Sequence, residues 1–122
     1  MGARKFLFEE KPTSSSKVMN DNVAFNRADL KYKVELESTG FNIDNDEYGF
    51  ELHCGAKAVP VPQENIIDRG GEIFVCITVE MLERLGSGEL YLVGFVKVPD
   101  LDFNNDYRRE VCKEFLTNLE VV

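Results

Sequence analysis

The chain has 122 residues, 43% of them hydrophobic and 30% charged, with 14 Lys+Arg against 22 Asp+Glu for a formal charge of −8. That length suits a single domain able to bury roughly two-thirds of the surface its unfolded form exposes, and no apolar run approaches the about 20 residues a membrane helix requires. Those short runs lead us to expect no membrane partner; the acidic balance repels a phosphate backbone, so nucleic acid is not expected either, and no cofactor is expected.

The N-terminus reads Met1-Gly2-Ala3-Arg4-Lys5-Phe6-Leu7-Phe8, a basic start followed by three apolar residues before Glu9-Glu10. That is too short for the apolar region of a signal peptide. Residues 1–29 lack sustained periodicity and contain Pro12-Thr13-Ser14-Ser15-Ser16, so they read as an extended N-terminal arm ahead of one β domain over 30–122. The first twenty residues carry +2 and the remainder −10. Such asymmetry suits an arm lying on the acidic surface of a neighbour, with Arg4, Lys5, Phe6, Leu7 and Phe8 as the partner-binding residues.

From Lys31 the pattern becomes period two. Tyr32, Val34 and Leu36 alternate with Lys31, Lys33, Glu35 and Glu37, which predicts a strand with one wet face. After the Ser38-Thr39-Gly40 turn and the acidic Asp44-Asn45-Asp46-Glu47, Tyr48, Phe50 and Leu52 alternate again and predict a second strand. Val59-Pro60-Val61-Pro62 has two residues that cannot donate to a ladder, so a strand through it must be an edge or a bulged segment. The Asp68-Arg69-Gly70-Gly71 turn precedes residues 72–79, an almost continuously apolar, β-branched run that predicts a central strand buried on both sides.

Residues 80–85 have helical spacing for about one and a half turns before Gly86-Ser87-Gly88 stops it, which predicts a helical connector. Residues 89–98 form another long strand, ended by Pro99. Tyr107, Arg109, Val111, Lys113 and Phe115 alternate as a further strand, with 116–122 as a last one. Val111, Cys112, Phe115 and Leu119 also satisfy helical spacing, so a C-terminal helix over 108–119 is the competing assignment. Six to seven short strands with turn signals between them predict an all-β, mainly antiparallel domain, an Ig-like β-sandwich or a partly open barrel.

The chemistry-bearing residues form no recognisable constellation. Cys54, Cys76 and Cys112 are an odd number at wide spacings, without a C-x-x-C pair, so the chain reads as cytosolic with reduced thiols. Cys76 is expected as a small hydrophobe in the core. His53 and Cys54 are adjacent on a strand and point to opposite faces, so they do not share a metal ion. Residues 100–106 interleave Asp and Asn as a calcium loop does, but Asn105 replaces the sharp-turn glycine and Val111 the bidentate glutamate; the stretch reads as an acidic turn bonded to its own backbone. Asp44, Asp46 and Glu47 have no spacing that ties them to that loop as an acid–base pair. Gly86-Ser87-Gly88 follows a helix and precedes a strand, the wrong order for a phosphate-binding loop. No catalytic and no metal-binding residue is assigned, and no enzymatic activity is expected.

The second half carries a series of turns and strands: Asp68-Arg69-Gly70-Gly71, then Val75-Cys76-Ile77, Leu85-Gly86-Ser87-Gly88-Glu89-Leu90, Val98-Pro99-Asp100-Leu101-Asp102-Phe103 and Arg108-Arg109-Glu110-Val111. This series resembles a group of small β-sandwich structural proteins of tailed bacteriophages and prophages, and is similar to the N-terminal domain of phage upper-baseplate proteins. The likeness spans roughly residues 31–115 and lies in turns and strands, not in active-site residues. Where the family often has a glycine after the acidic loop, this chain has Asn104-Asn105-Asp106-Tyr107, and residues 1–29 have no counterpart. The resemblance implies a virion structural subunit, synthesised in the host cytoplasm. Its expected partners are other virion proteins (capsid, portal or tail subunits) in a homo-oligomeric or multi-copy assembly. A stand-alone recognition module for a peptide or carbohydrate, with residues 59–62 near its site, is the alternative.

Overall fold

Alternating apolar and polar residues force a strand to choose one face for the core, and the chain forms strands almost wherever that alternation occurs. The computed structural model describes the backbone of residues 3–7 and, in full, residues 23–121. In chain order the elements are β1 (Ala3–Leu7), β2 (Val23–Phe25), β3 (Leu30–Glu37), β4 (Tyr48–Cys54), β5 (Lys57–Pro60), a 3-10 turn (Gln63–Asn65), β6 (Ile66–Arg69), β7 (Glu72–Ile77), α1 (Val79–Leu85), β8 (Gly88–Pro99) and β9 (Tyr107–Glu120). One sheet has the order β1-β3-β7-β6 and the other β2-β9-β8-β4-β5.

The two sheets enclose one core. Val34, Ile73, Val75 and Ile77 from the first meet Phe50, Leu52, Leu90, Leu92 and Leu116 from the second, all of them buried. Helix α1 adds Met81, Leu82 and Leu85 to the same core. It starts where Thr78 accepts a bond from the Met81 amide, and Asp29 accepts one from the Val79 amide at 2.9 Å, so two of the unsatisfied first-turn donors are held. The β6–β7 hairpin closes through Gly70 and Gly71, at φ 65° and 94°. Two consecutive positive φ values favour glycine, and they match the twist of the flanking strands.

Several expectations need revision. Residues 72–79 are not buried on both sides: Ile73, Val75 and Ile77 face the core, whereas Phe74 and Cys76 lie half-exposed on the outer face. A two-layer sandwich has no third layer to cover them, and Phe74 is instead flanked by the cations of Lys31 and Arg69, at 5.0 and 5.5 Å from its ring centre. Cys54, not Cys76, is the thiol in the core; burial pushes its pKa up.

The C-terminal helix is excluded. Residues 107–115 and the expected last strand are one continuous β9, with a register shift opposite Leu90 and Tyr91 that leaves Leu116 as an extra residue. That bulge imitates helical spacing in the sequence, because it breaks the period of two. Two described pieces of the segment 1–29 are strands. β1 pairs in parallel with β3, and β2 in parallel with β9, so each completes an edge of one of the chain's own sheets.

Leu52 has no exposed surface and sits between both sheets. Leu52→Ala is expected to lower unfolding free energy by about 2–5 kcal/mol, whereas Val111→Ala on the outer face changes it by less than about 0.5 kcal/mol; guanidinium denaturation of both variants checks the contrast.

Candidate functional site

Every second residue of β4, β8 and β9 points away from the core, and these residues build the outer face of the five-stranded sheet. His53 lies opposite Tyr91 and Tyr91 opposite Phe115, while Gly49 lies opposite Phe95 and Phe95 opposite Val111. The Phe95 ring lies over Gly49, so close that a Cβ there would stand 2.5 Å from a ring carbon. The Arg109 guanidinium stacks 4.1 Å from the Phe95 ring centre, and the Lys113 ammonium lies 4.4 Å from that of Tyr91. Tyr91 also meets Phe115 edge-on at 5.6 Å and donates from its hydroxyl to Glu89 at 2.9 Å. Aromatic rings and cations thus cover each other across this face.

The β8–β9 loop, residues 100–106, continues this sheet beyond the core. Its backbone is bonded internally: Asp100 N donates to Asp106 O, Phe103 N to Asp100 O and Asp106 N to Phe103 O. Asp100 Oδ1 accepts from the Asp102 amide at 3.1 Å and its Oδ2 from Arg108 at 2.9 Å. Arg108 also donates to Glu110, whose other oxygen accepts from Ser38. This clamp fixes a loop that displays Leu101, 84% exposed, together with exposed Phe103 and Tyr107. The bond from the Asp102 amide, and then the Arg108 guanidinium, hold the Asp100 carboxyl below the usual carboxylate range.

Asp44, Asp46, Glu47 and His53 have partners within the chain. Glu47 pairs with Lys97 at 2.9 Å, the Asp46 carboxylate accepts from the Asn42 amide, and the Asp44 amide donates to Asn42. His53 lies 3.0 Å from Glu51 on the outer face while Cys54 points inward, as their adjacency on a strand predicts. Cys76 belongs to the opposite sheet from His53. Among the described residues no group of three or more His, Cys, Asp or Glu is placed to hold a metal ion. Open depressions of about 410 Å³ each lie at Lys57, Ala58, Val59, Pro60 and Arg84 and around His53, Ser87, Tyr91 and Lys113.

Of the expected partner-binding residues, Arg4, Lys5, Phe6 and Leu7 lie in β1, in register with Val34, Glu35, Leu36 and Glu37. Phe8 lies outside the described residues. Sequence reasoning missed the apolar side chains of the β8–β9 loop because it weighed only the aspartates. The signal was there: Leu101 and Phe103 sit inside a turn, where no core can bury them. No family model, curated protein or solved structure matches the chain.

Gly49→Ala is expected to push the Phe95 ring away and break its stack with Arg109, seen as shifted Phe95 ring resonances, at a stability cost of about 1 kcal/mol. The loop clamp has a defined pH dependence. Because the Asp100 pKa is lowered in the folded state, its contribution is fully present above the unfolded value of about 3.9 and is lost as pH falls through the lower folded value. Protection of the Asp102 and Asp106 amides, measured against their intrinsic exchange rates, is expected to hold at pH 5 and to fall below the ordinary carboxylate range.

Proposed function

We propose that this protein is a non-enzymatic structural subunit of a tailed-bacteriophage particle, present in several copies and docked on capsid, portal or tail proteins. The observation that carries this reading is the β8–β9 loop: a rigid turn with Leu101, Phe103 and Tyr107 exposed. Preordered apolar side chains lose little entropy on docking, so they suit a permanent protein contact. Asp46, Glu47, Glu51, His53, Lys97, Asp100 and Arg108, held in ion pairs or turn bonds, support the same reading as parts of the framework. The phage setting rests on the resemblance of residues 31–115 to small phage β-sandwich proteins.

The alternative is a stand-alone recognition module for a peptide or carbohydrate, and the depression beside β5, next to the prolines at 60 and 62, favours it. It ranks second because the Tyr91 ring of the other depression already carries the Lys113 ammonium on its face and the Phe115 ring beside it. Quantitative mass spectrometry of density-gradient-purified particles separates the two. The chain is expected to co-sediment with particles in a fixed multi-copy ratio to the major capsid protein. Leu101→Ser with Phe103→Ser is expected to cut its incorporation about tenfold, the effect of losing about 1.4 kcal/mol. Particles that lack the chain would remove the proposal.

A further inference from the structure

We infer that the depression between β5 and helix α1 holds an acidic peptide segment of a partner protein, with Lys57 and Arg84 taking its carboxylates. Lys57, Ala58, Val59, Pro60 and Arg84 line this depression, and no carboxylate is among them. The inference goes beyond both readings above, since a particle subunit and a stand-alone module can each hold such a segment.

The unpaired cations single out this place. Within residues 23–121 every lysine and arginine except Arg27, Lys57 and Arg84 is in an ion pair with a carboxylate or lies over an aromatic ring. The chain has 22 Asp+Glu against 14 Lys+Arg, so carboxylates are in excess and a cation without one is a departure. Two of the three stand at this one depression. Glu80 precedes Arg84 by one helical turn, a spacing at which such pairs form, yet the two make no ion pair.

Backbone geometry brings the two cations together. Lys57 opens β5, in register with Cys54, and its Nζ lies 3.8 Å from where a Cβ on Gly86 would stand, beside the end of α1. Arg84 belongs to the last turn of that helix. The helix C-terminus is a favourable neighbour for both, but its partial charge amounts to only about half a unit, so most of the positive charge is left for a ligand.

The lining selects a peptide over other anions. At about 410 Å³ the depression has room for more than one small oxyanion, and exposed Ala58 and Pro60 give the methylene groups of acidic side chains an apolar wall. Nucleic acid or an anionic membrane would face the whole molecule, whose charge of −8 and exposed Glu80 and Glu83 on α1 repel it; a short segment meets the depression alone. Pro60 has no N–H to offer an added strand, so side chains hold the segment: the guanidinium takes a carboxylate by two parallel bonds and the ammonium acts as a point charge.

Titration of an unlabelled hexaglutamate peptide into the isotope-labelled full chain, followed by amide shifts, tests the inference. The ionic strength is set at about 0.1 M, where charges more than about 10 Å apart are screened and contacts at the site decide the result. Shifts are expected to centre on the Lys57, Ala58, Val59 and Arg84 amides, with a Kd of about 0.1–1 mM, while hexaglutamine leaves them in place. Lys57→Gln and Arg84→Gln are each expected to weaken binding at least about threefold, the loss of one charge-assisted contact, with the wild-type circular dichroism kept because both side chains are exposed. Arg27→Gln removes the same charge elsewhere and is expected to leave the Kd unchanged. Hexaglutamate that shifts none of these amides at about 5 mM overturns the inference, as do shifts centred on Lys113 or an Arg27→Gln loss equal to that of Lys57→Gln. Inorganic phosphate that binds there as tightly as the peptide also overturns it, by assigning the site to a free anion. Each of these outcomes leaves the particle reading standing, since that is decided by co-sedimentation.

Discussion

The register of the β8–β9 hairpin is the constraint on which the rest of the molecule depends. Pairing runs from Gly88 opposite Leu119 to Pro99 opposite Tyr107, along the two longest strands described. One face of this ribbon supplies Leu90, Leu92, Val96 and Val98 to the core, and the other supplies Tyr91, Phe95, Arg109 and Lys113 to the outer surface. A slip of one residue exchanges the faces, putting the leucines in water and the cations in the core. The bulge at Leu116 keeps the far half in phase: it lets Phe115 remain outside beside Tyr91 while Leu116 and Leu119 turn inward.

At the other end the same ribbon is anchored by Arg108. Its guanidinium bridges Asp100 in the loop and Glu110 on its own strand, and Glu110 is bonded in turn by Ser38 from the β3–β4 connection. An isolated exposed ion pair contributes little, but several bonds converging on one planar guanidinium fix geometry as well as energy. The loop, the start of β9 and the segment after β3 are therefore tied together. A display of apolar side chains on a loose loop would incur the ordering cost at every encounter; here that cost is met during folding.

Much of this was legible in the sequence, and what was not has physical causes. β3, β4 and β8 follow from their alternating or apolar runs, and α1 from the helical spacing of residues 80–85 ahead of Gly86, although Thr78 and Val79 were read as strand and not as the start of the helix. β5 was legible as an edge from Pro60 and Pro62, and it does lie at the end of its sheet. β1, β2 and β6 were not recognised, because strands of three to five residues are too short to show a period, and their stability comes from neighbours distant in sequence. Residues 72–77 misled because an apolar run does not say whether a second layer exists to cover it, and here Lys31 and Arg69 stand in for that layer over Phe74. The candidate surface was visible as Asp100 and Asp102 but was read as charge, although the side chains between them are the ones left in water.

A two-sheet sandwich has open edges, and each is a hazard because unpaired backbone groups recruit any passing strand. This chain blunts three of its four. β5 carries Pro60, β6 is four residues long and ends in Asp68 and Arg69, and β2 is three residues long, while β1 forms the fourth edge. Backbone pairing is thereby disfavoured at those three edges, which leaves contact there to side chains. The loop at residues 100–106 suits that division, since its own N–H and C=O groups are bonded internally and leave Leu101, Phe103 and Tyr107 as the exposed material. An interface of this kind is small and individually weak, and in a particle its strength comes from repetition, because neighbours held side by side raise the effective concentration of each contact.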